Sequence, residues 1–152
     1  MTIFVFNNKK MMKKLLFSLL ISASATAFAQ QSSLVVADGM LASSTFVKAN
    51  AKNIKAQKTY AANAALPQTL SNFADAGKKG LISVTLKENH YDRISLAEMN
   101  LQNDLDAQSP VLFDGNLIKN TEIKILGDVM SQTEVQIVDG KKVLSISSQP
   151  KS

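Results

Sequence analysis

The sequence has no cysteine, no tryptophan, one histidine and three prolines among its 152 residues. Without cysteine the chain has no disulfide, no thiol nucleophile, no thiolate metal site and no lipid attached to a cysteine. The single histidine, His90, argues against a catalytic zinc site, because such sites draw on several histidine or cysteine ligands. We therefore predict no cofactor and no bound metal, and folding stability that comes from the hydrophobic core.

Little net positive charge remains beyond the first residues of the chain. The net charge is +5, but four of the positive charges are contributed by Lys9, Lys10, Lys13 and Lys14, with no acidic residue nearby. The rest of the chain is almost neutral. A domain that binds nucleic acid needs a basic surface, so we predict that nucleic acid is not a partner.

The start of the chain has the three parts of a secretory signal peptide. The four lysines precede the apolar run 15–21, and the small residues Ala27 and Ala29 precede Gln30. Signal peptidases cleave after small residues in this arrangement. We therefore predict cleavage between Ala29 and Gln30, in a segment that resembles bacterial export signals.

A transmembrane anchor is the competing interpretation of the same apolar run. A membrane span needs about 20 largely apolar residues, whereas polar residues interrupt this run from Ser22 onward. We therefore expect a product that is exported, periplasmic or secreted, soluble and without a transmembrane segment. The start site stays open among Met1, Met11 and Met12.

The segment 44–65 is predicted to form the main helix. It contains neither glycine nor proline, Ser43 or Ser44 can cap its first turn, and Pro67 disfavours its continuation. A step of about 100° per residue gathers four lysines on one side of this helix. These are the candidate binding residues, with an ordinary solvated face as the alternative: Lys48, Lys52, Lys55 and Lys58.

Patterns after the main helix predict a short helix following Pro67 and a strand over 82–86, where apolar and polar residues alternate. The segment 94–105 fits either a helix or a bulged strand. We favour the helix because Ser95 and Glu98 have the spacing of a capping box.

The C-terminal part is predicted to contain two hairpins. Asp114-Gly115 separates the extended runs 111–113 and 116–118, and Asp139-Gly140 separates two longer runs. Only one register of the second hairpin satisfies both the turn and the apolar pattern. It pairs Val138 with Lys141, Ile137 with Lys142, Val135 with Leu144 and Thr133 with Ile146, which places Val135, Ile137, Leu144 and Ile146 on one face.

These elements predict an α+β fold in which an N-terminal helix or helix pair packs on one face of an antiparallel β-meander. No internal repeat is found. The predicted regions are a cleaved signal peptide over 1–29, a flexible lead or short strand over 30–43, a single domain over 44–148, and a short tail over 149–152.

The leading functional hypothesis is a non-enzymatic binding module whose partner is another envelope or secreted protein. Its interaction surface is either the lysine side of helix 44–65 or a free edge of the C-terminal sheet. One alternative is an envelope hydrolase that uses His90 with Glu88 or Asp92 as an acid–base pair. Another is a membrane-surface or antimicrobial module that uses the basic helix 44–65. The oligomeric state and the identity of the partner stay open.

Overall fold

The computed structural model describes residues 33–150, and the predicted signal peptide with Ala29 and Gln30 lies outside the described residues. The described part contains ten strands: β1 (Leu34–Ala37), β2 (Met40–Ala42), β3 (Ile54–Tyr60), β4 (Leu81–Leu86), β5 (Arg93–Ser95), β6 (Val111–Phe113), β7 (Asn116–Ile118), β8 (Lys124–Leu126), β9 (Gln132–Val138) and β10 (Lys141–Ser147). It also contains two α-helices, α1 (Ser44–Ala49) and α2 (Leu96–Gln102), and 3₁₀ turns at Ala51–Asn53, Gln68–Phe73 and Gly127–Val129.

The predicted helix-on-meander fold is wrong. The strands form two sheets, with the order β3-β4-β1-β2-β8-β5 in the first and β7-β6-β10-β9 in the second. Three pairs are parallel, namely β1 with β4, β2 with β8, and β6 with β10. A parallel pair joins segments that lie far apart along the chain. Local alternation of apolar residues does not reveal such a pairing.

The long helix over 44–65 is also wrong. Ser43 caps α1 as predicted, since its Oγ accepts a hydrogen bond from the Phe46 amide at 3.1 Å. The helix ends at Ala49, and the capping residue Asn50 donates from its Nδ2 to the Phe46 carbonyl at 2.8 Å. From Ile54 the chain is β3, paired antiparallel with β4. Helix propensity is a weak preference, and pairing with the buried strand β4 overrides it here.

Several local predictions are confirmed. The strand over 82–86 is part of β4, and α2 lies inside the segment 94–105. The Ser95–Glu98 capping box is present, with the Glu98 amide 3.1 Å from Ser95 Oγ and the Ser95 amide 3.0 Å from Glu98 Oε2. The β9–β10 hairpin has the predicted register at all four pairs. The predicted short helix after Pro67 is the 3₁₀ turn at Gln68–Phe73.

Apolar side chains from both sheets and from α2 form one buried cluster. Its members with no more than 1 % of their surface exposed include Val36, Leu41, Leu81, Leu96, Val111, Phe113, Ile125 and Leu144. In the first sheet β1 and β2 are buried along their whole length, whereas the edge strand β3 is exposed between its two half-buried end residues.

The two sheets contain the same four-strand unit. In the first, the hairpin β1–β2 lies beside β4, which is parallel to β1 and antiparallel to β3. In the second, the hairpin β6–β7 lies beside β10, which is parallel to β6 and antiparallel to β9. The units share the sequence Val-x-x-Asp-Gly-x-Leu, at 35–41 and at 111–117. This match is too short to predict a repeat without the strand order.

In both units the aspartate of the turn binds the parallel neighbour. The Asp38 amide donates to the Val84 carbonyl at 3.0 Å, and Asp38 Oδ1 accepts from the Leu86 amide at 3.2 Å. The Asp114 amide likewise donates to the Ile146 carbonyl at 2.9 Å, and Asp114 Oδ1 accepts from the Ser148 amide at 2.8 Å. Each aspartate therefore fixes a hairpin against a strand that is distant in sequence.

Candidate functional site

The four candidate lysines do not share a helix face, because the helix predicted to carry them does not form. Lys48 lies in α1, Lys52 in the following 3₁₀ turn, and Lys55 and Lys58 in β3. The Lys58 ammonium lies 5.2 Å from the centre of the Tyr60 ring, a cation–π contact. The membrane-surface alternative thereby loses the basic helix on which it depended.

The predicted acid–base group lies in the loop between β4 and β5. His90 Nε2 is 3.7 Å from Glu88 Oε2, and the two side chains are 87 % and 75 % exposed. Asp92 is engaged elsewhere through its backbone, since its carbonyl accepts from the Gly127 amide at 2.7 Å. The imidazole and its carboxylate neighbour are therefore solvated, without the burial that tunes catalytic groups. The hydrolase alternative stays a prediction.

Asn53 holds this loop in place. Its Nδ2 donates to the Glu88 carbonyl at 2.7 Å and to Tyr91 Oη at 3.0 Å, and its Oδ1 accepts from the Glu88 amide at 3.0 Å. Tyr91 in turn donates to Asn50 Oδ1 at 2.8 Å and packs edge-on against Phe46, with the ring centres 4.9 Å apart. The hydrogen bonds of Asn53 and Tyr91 therefore give the conformation of this loop a structural explanation.

A polar cleft of about 480 Å³ opens beside the β1–β2 turn. Asn89 bridges its wall, because its Nδ2 donates to Asp38 Oδ2 at 3.1 Å while its Oδ1 accepts from Arg93 Nη2 at 3.2 Å. Lys124 and Glu122 also line the cleft. Two cations and two carboxylates leave it without net charge. No local sequence pattern predicts this cleft, because its walls come from widely separated segments.

The most distinctive surfaces are the two long sheet edges, β3 and β9. They occupy equivalent positions in the two repeated units, and each has seven residues. Within the described residues each pairs with a neighbour on one side only. A long free edge presents unpaired backbone N–H and C=O groups, to which another strand can add.

The β3 edge carries features that oppose such addition. Lys55 and Lys58 are exposed along it, and the register with β4 shifts between Ile54 and Ala56, which marks a bulge or irregularity. Edge lysines and bulges both hinder pairing with a further strand. The β3 edge is therefore protected.

The β9 edge, defined here as the outer side of Gln132–Val138, has neither feature. It contains no lysine, and its register with β10 is uninterrupted. Val135 is 44 % and Ile137 66 % exposed, although they share the face of the buried Leu144 and Ile146. The apolar face of the second sheet therefore extends past its covered part at this edge, and we take the β9 edge as the candidate binding site.

Comparison of the chain with protein-family models, with curated proteins and with solved structures finds no match. Within residues 33–150, neither helix has the length and apolar character that crossing a membrane requires. In the same range no three histidine or carboxylate side chains converge as metal ligands. A function for the chain must therefore be argued from the surface of residues 33–150.

Proposed function

We propose that the protein is an exported, non-enzymatic binding module that takes an extended segment of another envelope or secreted protein onto the β9 edge. The incoming strand bonds to the backbone of β9 and covers Val135 and Ile137 with its own side chains. The observation that carries this proposal is the contrast between two equivalent edges, of which β3 is protected and β9 is not. Export is supported by the signal-peptide pattern of 1–29.

The energetics favour a partner strand at this position. Each backbone hydrogen bond contributes about 0.5–1.5 kcal/mol net, and fully burying a valine or isoleucine side chain contributes about 1.5–3 kcal/mol relative to full exposure. Val135 and Ile137 retain enough exposed surface to gain a substantial part of that energy. Strand addition needs no catalytic or metal-binding motif, which is consistent with the composition of the chain.

The surface of β9 indicates the chemistry of the partner segment. Val135 and Ile137 lie on one face of the strand, and Glu134 and Gln136 lie on the other. A matching segment of about seven residues would carry apolar side chains at alternate positions on the first face. On the second face it would carry polar or basic side chains, which meet Glu134 without repulsion.

The test is capture of the partner from the native host. The full chain with a C-terminal tag is expressed in its own host, cross-linked and purified, and the captured proteins are identified by mass spectrometry. The diagnostic variant is Ile137→Glu, because residue 137 is 66 % exposed and faces Lys142 across the hairpin, so a carboxylate is tolerated in the fold. Gln57→Glu in β3 is the matched control.

We expect Ile137→Glu to lower recovery of the captured protein at least about tenfold, the equivalent of about 1.4 kcal/mol, while Gln57→Glu recovers as much as the unaltered chain. Replacing Lys48, Lys52, Lys55 and Lys58 by glutamine should also leave recovery unchanged. Equal recovery with Ile137→Glu and the control contradicts the β9 site. Loss of capture with the glutamine variant moves the site to the lysines, and absence of any captured protein contradicts the binding function.

A further inference from the structure

We infer that the β9 edge is self-complementary, and that in the absence of a partner strand two copies of the chain pair through it as a two-fold dimer centred on Val135. The inference rests on the same edge as the proposed function. It describes the β9 edge before a partner binds: a second copy of the chain covers the edge until a partner segment replaces it.

The position of Val135 supports a symmetric pair. Val135 is the middle residue of β9 (Gln132–Val138), so an antiparallel pair centred there matches all seven residues of both copies. Residues opposite each other in an antiparallel pair lie on the same face of the sheet. The pairing therefore sets Val135 against its own copy, and each Thr133 against the other copy's Ile137.

The face of Val135 becomes a continuous row of β-branched side chains. It contains Thr133, Val135 and Ile137 from each copy, and these residue types pack well across strands. Val135 and Ile137 are the exposed apolar residues of β9 in the isolated chain. The row also continues the face on which Leu144 and Ile146 are buried, so the dimer extends the existing apolar face.

The opposite face is compatible with the same arrangement. Centring on Val135 sets each Glu134 against the other copy's Gln136, so a carboxylate meets an amide donor at both positions. In the single chain Gln136 already donates to Glu134 along the strand, and the dimer exchanges this bond for one between copies. A shift of the centre to residue 134 would instead oppose two glutamates, which is destabilising.

The β3 edge does not allow an equivalent dimer. Pairing two copies about Gln57, the middle of Ile54–Tyr60, gathers four lysines, because each strand contributes Lys55 and Lys58 and neither contributes an acidic residue. The irregularity between Ile54 and Ala56 also interrupts the ladder at one end. The self-pairing property therefore distinguishes the two edges of the repeated unit.

The absence of cysteine makes the register directly testable. Val135→Cys places two thiols opposite each other at the dimer axis, where the Cβ atoms are about 4.5–5.5 Å apart, close to the span of a disulfide. Mild oxidation of the purified full-length variant should give a covalent dimer, whereas Gln57→Cys in β3 should not. Thr133→Cys and Ile137→Cys should cross-link with each other when mixed and oxidised, and neither should cross-link efficiently alone.

Sedimentation of the purified unaltered chain is the second measurement. We expect a dimer that dissociates on dilution, and a shift to monomer for Ile137→Glu. A chain that is monomeric at every concentration, or a Val135→Cys variant that cross-links no faster than Gln57→Cys, overturns the dimer. If the monomeric chain still captures a partner and Ile137→Glu abolishes that capture, the result supports the proposed function and contradicts the dimer. A chain that dimerises but captures no partner supports the dimer and contradicts the proposed function.

Discussion

Asp38 and Asp114 occupy the same position in the two repeated units and make the same backbone contacts. Their φ angles are 48° and 47°. In each case the backbone amide of the aspartate donates to a carbonyl of the parallel neighbour, and its carboxylate accepts from the amide two residues further along that part of the chain. Each is followed by a glycine with positive φ, Gly39 and Gly115, as in the two-residue turns that favour Asp-Gly. The aspartate therefore forms the turn and also holds a third strand.

The first prediction separates these two roles of aspartate. Asp139 forms an equivalent turn with φ of 51°, but within residues 33–150 its side chain makes no hydrogen bond to a third strand. We expect Asp139→Ala to lower the free energy of unfolding by about 1 kcal/mol, the cost of alanine in the left-handed region. Asp114→Ala should cost about 3 kcal/mol, because it also removes the bonds to Ser148. Equal losses in urea denaturation would show that the contact with the third strand contributes nothing.

The second prediction concerns the loop between β4 and β5. Asn53→Ala removes both bonds to the Glu88 backbone, so we expect faster amide hydrogen exchange over 87–91 and a loss of about 2 kcal/mol of stability. Tyr91→Phe keeps the ring contact with Phe46 and loses only the hydroxyl bonds, with an expected cost of about 1 kcal/mol. Unchanged exchange in Asn53→Ala would contradict the role given to Asn53.

The third prediction concerns Asn100, which is fully buried. Its Nδ2 donates to the carbonyls of Ser109 at 2.7 Å and Ala107 at 3.3 Å, while its Oδ1 has no partner among the described residues. Asn100→Ala should cost about 2–3 kcal/mol, because it leaves two carbonyls without a donor.

Asn100→Asp tests the same contacts by replacing the amide, which donates hydrogen bonds, with a carboxylate, which accepts them. It sets a carboxylate against two carbonyl oxygens, so we expect a larger loss than for alanine. The loss should increase as the pH rises, because burial favours the protonated acid. Urea denaturation of both variants at acidic and neutral pH measures this, and a pH-independent Asn100→Asp would contradict the burial of the side chain.

The fourth prediction is a pH dependence at the start of α2. Hydrogen bonds from the Ser95 backbone and then from its side chain, with a contribution from the Lys124 charge, lower the pKa of Glu98 below its ordinary value of 4.5. The folded protein therefore favours the ionised carboxylate. The stabilisation is fully present above the ordinary pKa and is lost as the pH falls through the lower pKa of the folded state.

Amide exchange at the first turn of α2 measures this effect. We expect the protection of the amides at residues 96–98, corrected for the pH dependence of the intrinsic exchange rate, to fall at acidic pH in the unaltered chain. Glu98→Gln keeps an acceptor but does not titrate, so the protection of these amides should no longer fall as the pH is lowered. Glu134→Gln in β9 should behave as the unaltered chain does. An identical acid response in Glu98→Gln would assign the effect to another group.

The sequence predicts interactions between residues close together in the chain, but it does not predict the pairing of strands that are far apart in the chain. Ser43, the Ser95–Glu98 box and the Asp-Gly turns act within a few residues, so their patterns correctly predict the start of α1, the helix α2 and the two C-terminal hairpins. The segment 54–60 was predicted as helix because its composition favours one, yet it lies against β4. The strand order depends on the parallel contacts of β1, β6 and their partners, for which the sequence has no local signal.

The candidate site shows the same division. The register of β9 and β10 follows from the Asp139-Gly140 turn and the alternation of apolar residues, and it predicts that Val135 and Ile137 share a face with Leu144. Their exposure does not follow from that pattern, because it depends on β9 lying at the end of the order β7-β6-β10-β9. The protection of the equivalent β3 edge could be recognised only once the repeat was known.

The strand order of the second sheet also sets the sequence of events during synthesis. The hairpin β6–β7 leaves the ribosome before β10, the strand that must lie between β6 and β9. For a chain that emerges at about 5–20 residues per second, the rate of synthesis, the roughly 30 residues from Ile118 to Ser147 take about 1.5–6 s to follow, and during that time the side of β6 that β10 will cover is open. Contacts made by the bare side of β6 during that delay compete with productive folding, so the yield of native protein depends on what the nascent chain meets before Lys141–Ser147 emerges.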